Sequence, residues 1–275
     1  MVLELAHLPI VRLPNQPAVL EVKFIASTEP DGSAILFIHG FNGSAIETWM
    51  DFEKMLPESG GCRRRDFFFV GYDALRSDLT ASAGIFRDFL DRFFEKPADL
   101  LSGAIPTAAK RADNFTYKSL LIVGHSLGAI IARRALLDAT LMNKAWPSSC
   151  RLCLFAPAHR GARVTELAME ALSFWSFIKP FSAFLRFQSP LIDQLRNGSD
   201  TLKTLHDETM EATRNGANPH LRAVRVLIAQ YERVVDNIRF ANDPPAITIA
   251  AKSHINLCKP NRDFQEPVEH VLSCL

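Results

Sequence analysis

The sequence predicts an α/β fold, a mainly parallel sheet with helices on both faces. Three observations predict it. Short extended segments rich in β-branched and aromatic residues alternate with longer helical patterns, the rhythm of strand–helix–strand units. Several of those segments are continuous apolar runs, as strands buried on both faces must be. The stretch Gly124-His125-Ser126-Leu127-Gly128 sits between one such run and an amphipathic segment. A serine with glycines two residues either side, at a strand-to-helix junction, is the signature of a nucleophile elbow.

The elements follow in order. Strands are predicted at residues 19–25, 34–38, 67–71, 120–123, 152–155, 223–229 and 246–250, with an antiparallel edge position open to the first. Helices are predicted at 45–56, 79–94, 127–141 and 263–272. The interval from about 163 to 220 breaks the rhythm and offers no convincing strand. It reads as a helical, cap-like insertion, with one aromatic-rich stretch over 167–187 interrupted by Pro180 and a second helical stretch around 199–214. Its aromatics suffice to cover a pocket or to touch a lipid surface at the membrane periphery, and equally to pack on the sheet. Residues 1–275 read as one domain, a length that suits a single large α/β unit.

Composition excludes several classes. With 31 basic against 30 acidic residues, the chain has no overall nucleic-acid footprint. Arg63-Arg64-Arg65 is short enough to be a solvated loop edge. The five cysteines are odd in number and irregular in spacing, against a secreted disulfide framework. Cys150 and Cys153 have CxxC spacing, but residues three apart on a strand point to opposite faces, and no second pair completes a zinc set. There is no secretory signal pattern and no run of 18 uncharged apolar residues, so the expected compartment is the cytoplasm.

The elbow sets the chemistry to look for. Its serine must adopt a strained turn, and a Cβ at either flanking glycine would collide with neighbouring backbone. The hydroxyl is then exposed at a helix N-terminus, where free N–H groups favour negative charge. A serine needs a histidine to take its proton and a carboxylate to hold that histidine. In hydrolases built on this elbow the chain order is serine, acid, histidine. Glu232 lies in the first turn after the strand 223–229, and Asp236 four residues further on. Glu232 is favoured on placement, at the carboxyl end of a strand. His254 follows the last strand in the same way, whereas His270 sits in the terminal helix. An oxyanion hole needs two fixed donors. Leu127 supplies one backbone N–H, and Phe41, in the loop His39-Gly40-Phe41-Asn42-Gly43, supplies the other. His39 lies upstream of the serine and reads as structural, packed under that loop.

With these motifs assembled, the chain from about Val19 to Leu275 resembles the α/β-hydrolase superfamily of lipases and esterases. Within it, the chain is most similar to serine esterases related to the glycosylphosphatidylinositol inositol-deacylases. The matching pieces are His39 to Gly43 with Trp49 downstream, Gly124 to Gly128, Phe155-Ala156-Pro157-Ala158-His159-Arg160-Gly161, and His254-Ile255-Asn256-Leu257-Cys258-Lys259-Pro260. The resemblance implies Ser126 as nucleophile, His254 as base, and donors at Phe41 and Leu127. Many members carry Asp where Glu232 stands. The expected activity is hydrolysis of a carboxylic ester, a small molecule or lipid with an apolar acyl or alcohol part, and no metal or organic cofactor is implied. Amide or thioester hydrolysis, acyl transfer on the same residues, and a non-catalytic binding module of this fold are the alternatives.

Overall fold

The computed structural model describes residues 6–12, 19–41, 43–73, 78–102, 104, 109–163, 166, 194–196 and 198–275. The strands are β1 (Ala6–Arg12), β2 (Val19–Ile25), β3 (Ser33–Ile38), β4 (Asp66–Tyr72), β5 (Ser119–His125), β6 (Cys150–Phe155), β7 (Ala223–Ala229) and β8 (Ile247–Ile249). They form one sheet in the order β1-β2-β4-β3-β5-β6-β7-β8. All pairings from β4 through β8 are parallel, and β1–β2 and β2–β4 are antiparallel. Residues 19–25 are therefore antiparallel but not at the edge. The eighth strand, β1, lies outside them.

The helices are α1 (Phe52–Glu58), α2 (Leu79–Glu95), α3 (Pro97–Leu101), α4 (Leu127–Leu141), α5 (Asp200–Ala212) and α6 (Glu266–Leu272). The chain steps from β3 to β4 in one direction, then from β4 across β3 to β5 and onward in the other. Right-handed crossovers then place α1 on one face and α2, α4 and α5 on the other. The contacts agree: α2 and α5 pack on α4, and α1 packs on α6. The helix predicted over 45–56 is shorter at its start, because residues 45–51 form turns and Met50 takes a left-handed φ of 48°. Asp78 begins α2 by accepting the Ala81 N–H at 2.7 Å, as an N-cap should.

The central strands are buried almost throughout. Ile35 to Ile38 of β3 and Phe67 to Val70 of β4 are enclosed, with Phe37 stacked on Phe69 and edge-on to Trp49. In the interval 163–220 the described residues form α5, two short 3-10 turns at Arg214–Gly216 and Pro219–Leu221, and no strand, with Arg196 making an isolated bridge to Ala162. The aromatic stretch 167–187 lies outside the described residues. No helix among the described residues is long and apolar enough to cross a membrane.

One consequence of this topology positions the site. The reversal of winding falls between β3 and β5, whose carboxyl ends are adjacent through the pairing of Ile38 with Gly124. Ligand sites of open α/β sheets gather outside the strand carboxyl ends at such a switch point.

Candidate active site

Ser126 occupies the turn between β5 and α4 with φ 51° and ψ −115°. A non-glycine residue held there carries about 1–3 kcal/mol of strain. Its neighbours over-determine it. The Ser126 N–H donates to the Phe155 carbonyl at 2.9 Å, and the Ala158 N–H donates to the Ser126 carbonyl at 3.3 Å. A Cβ on Gly124 would lie 2.8 Å from the Ala129 Cα, and one on Gly128 would lie 2.3 Å from both the Ile38 and His39 carbonyl oxygens. Both glycines are thus required by close backbone approach. Gly128 in particular lets α4 start against the end of β3.

The loop after β3 crosses this turn. A Cβ on Gly40 would be 2.9 Å from the Ser126 Cβ, so residues 39–41 pass directly over the serine. The loop is braced from below by His39, which is 1% exposed. Its Nδ1–H donates to the Gly40 carbonyl at 2.7 Å, and its Nε2 accepts the Tyr72 N–H at 3.2 Å. The Tyr72 hydroxyl donates to the His39 carbonyl, and the two rings stack at 4.5 Å. Burial, opposed by the Gly40 hydrogen bond, pushes the His39 pKa down to about 4. A neutral ring with both nitrogens engaged serves as a brace. Phe41 is buried in the turn closed by Gly43 N–H to Gly40 C=O. Leu127 is the first residue of α4, where a backbone N–H has no intrahelical acceptor.

His254 and Glu232 come together from two strand ends. Nδ1 of His254 lies 3.0 Å from each carboxylate oxygen of Glu232, and both side chains are almost fully enclosed. Glu232 Oε1 also accepts the N–H groups of Val234 at 2.8 Å and Val235 at 3.0 Å. Burial disfavours the charged carboxylate most strongly. The His254 hydrogen bond and charge, with the two backbone donors, outweigh it and hold the Glu232 pKa below its ordinary value. Asp236 instead faces Arg163 at 3.6 Å. The second ring nitrogen of His254, Nε2, is buried without a hydrogen-bond partner among the described residues.

Two residues of the site carry no signal of their role in the motifs above. His125, immediately before the serine, places its Nε2 2.9 Å from the His254 carbonyl, and the two rings lie 4.9 Å apart. Arg133 of α4 is fully buried. It bonds His159 at 3.1 Å and Asp243 at 2.5 Å, and it lies 4.7 Å over the Phe240 ring. That network ties the segment after β6 to α4. The one trace of it in the sequence is a basic residue inside an apolar helix face, which needs a buried partner. Cys150 and Cys153 have separate surroundings, the first bonding the Trp146 carbonyl and the second lying against Cys274.

Sheet order, the strained serine turn and the crossing β3 loop define the α/β-hydrolase fold. The chain is similar in structure to the mature lipase BlEst2 of Bacillus licheniformis, with a TM-score of 0.55 and 17% identity over 90% of this chain and 97% of that one. It is likewise similar to the carboxylesterase CesB of Bacillus subtilis, with a TM-score of 0.52 and 14% identity over 99% of this chain and 93% of that one. In sequence it is similar to Protein SERAC1 of Mus musculus, 24% identical over 67% of this chain and 29% of that protein. The human SERAC1 is 21% identical over 86% of this chain and 37% of its own length. The chain thus spans about a third of the length of the curated relatives it matches. No protein-family model matches it.

Proposed function

We propose that this chain is a serine hydrolase that cleaves a carboxylic ester through an acyl-enzyme. The observation that carries the reading is the pair Glu232–His254, which engages Nδ1 and leaves Nε2 unpartnered among the described residues, in a histidine whose carbonyl meets the residue before Ser126 at 2.9 Å. In this reading Ser126 Oγ attacks the ester carbonyl carbon as its proton passes to His254 Nε2. Glu232 accepts the hydrogen bond from Nδ1–H, fixes the tautomer and stabilises the imidazolium that forms. The backbone N–H groups of Phe41 and Leu127 receive the developing oxyanion. Collapse expels the alcohol, which takes the proton from Nε2 and leaves an acylated Ser126. Water then gives its proton to Nε2 as it attacks the acyl carbonyl, and the second collapse releases the acid and returns the proton to Ser126. No hydrogen bond joins the Ser126 hydroxyl to Nε2 among the described residues. Hydrolases of this kind often hold that contact long until substrate seats.

An ester with an apolar acyl or alcohol part is the substrate class we assign. The aromatic-rich sequence of 167–187 and the lipase and carboxylesterase named among the fold's relatives support it. The test is a panel of short- and medium-chain aryl esters offered to purified protein, beside labelling by a fluorophosphonate probe. Turnover and labelling at Ser126, both lost in Ser126→Ala, are the expected results. Turnover unchanged in that variant, or absent on every ester, rejects the reading.

A further inference from the structure

We propose that His125 is a positioning residue for His254, donating from its Nε2–H to the His254 carbonyl and so setting the backbone from which the base reaches the serine. The proposal rests on the reading of Ser126 and His254 as nucleophile and base. Its geometry is specific. A carbonyl oxygen only accepts, so the nitrogen 2.9 Å from it must carry the hydrogen. That fixes the tautomer and leaves Nδ1 as the bare nitrogen. Nδ1 is buried with no partner among the described residues, in a wall where a Cβ on Gly40 would approach it to 2.9 Å. The Trp49 ring closes another side, edge-on at 6.5 Å. The Gly40 backbone and the Trp49 ring thus pack against His125 from two sides.

The bond joins residues 129 apart in sequence. One end is the residue before Ser126 on the end of β5. The other is the main chain of His254 itself. Glu232 holds the side chain of His254 from the turn after β7, so Glu232 and His125 fix it from two different strand ends. Burial foremost, then the charge of His254, keep His125 well below the ordinary histidine pKa. A neutral donor suits this place, because a second imidazolium 4.9 Å away would oppose the one that forms on His254 during acyl transfer.

Two substitutions separate hydrogen bonding from packing. His125→Phe keeps a ring and removes the donor, whereas His125→Gln keeps an N–H at similar reach. We expect His125→Phe to lower kcat and the fluorophosphonate labelling rate by about 10- to 100-fold with KM within about twofold, and His125→Gln to recover most of the loss. Wild-type rates in His125→Phe overturn the proposal. A measurement on the wild-type protein does not depend on how the variants fold. The ¹H–¹⁵N imidazole spectrum should show His125 as the neutral Nε2–H tautomer, its proton protected from exchange, from pH 5 to 8. An Nδ1–H tautomer, or titration in that range, overturns it as well. If wild-type protein neither turns over esters nor takes the probe, the hydrolase reading fails and the role falls with it, while the spectrum still reports whether the bond exists.

Discussion

Both carboxylate oxygens of Glu232 lie 3.0 Å from Nδ1 of His254. Asp236, four residues on, is turned toward Arg163. Of the two acids that the sequence offers, the turn after β7 brings Glu232 to His254, with the Val234 and Val235 N–H groups anchoring Glu232 Oε1.

Glu232→Gln should lower kcat by about 10³- to 10⁴-fold, since an amide can hold His254 in the wrong tautomer and cannot stabilise the imidazolium. Asp236→Asn should leave kcat within about twofold, as Asp236 pairs with a largely exposed Arg163 and not with His254. Steady-state kinetics on one aryl ester distinguishes the two. A larger loss in Asp236→Asn than in Glu232→Gln would reverse the assignment.

His39 makes stability fall with acid. Its folded pKa is about 4, below the unfolded value of about 6.5. The unfolded chain therefore binds more protons between those values, and stability is full above the upper one and declines as pH drops toward the lower. The loss amounts to roughly 3 kcal/mol by pH 4. Urea midpoints measured from pH 7 to pH 4 should fall, and His39→Gln should flatten that fall. An equal slope in both proteins would assign the acid sensitivity elsewhere.

Gly128→Ala should destabilise by about 3 kcal/mol or more, because its methyl would sit among backbone oxygens that cannot move without displacing β3. A Cβ on Gly84, inside α2, would meet nothing within 4 Å, and Gly84→Ala should stabilise by about 0.5–1 kcal/mol through helix propensity. Thermal midpoints of the two variants should move in opposite directions.

Asp243→Ala removes the partner of a fully buried Arg133 and also the acceptor of the Ala223 N–H at 2.8 Å. An uncompensated buried guanidinium costs about 3–5 kcal/mol. Chemical denaturation measures it, and a loss under about 1 kcal/mol would mean that another group or water takes over the charge.

Much of this molecule is legible in one dimension. Continuous apolar runs mark the interiors of β3, β4 and β5, because a strand covered on both faces has little room for a polar residue, whereas β6 and β7 carry Arg151 and Arg225 near their starts. Glycine spacing marks the elbow, because backbone approach at Gly124 and Gly128 tolerates no side chain. β1 is less legible, since an edge strand carries only half of that pattern and is recognised by its pairing with β2. The start of α1 is misplaced by the sequence pattern because helical periodicity continues through residues 45–51 while Met50 breaks the backbone.

The sequence by itself marked strands β2 to β8 and the serine turn, and it offered Ser126, then Glu232 or Asp236, then His254 as candidates in that order, since each is a local pattern of polarity or of missing side chains. Only the tertiary structure decided which acid meets His254, that His125 holds its carbonyl, and that Arg133 is paired with Asp243. Those contacts span 22, 129 and 110 residues of chain. A hydrogen bond between two strand ends depends on the order and register of the strands between them, which no local spacing encodes.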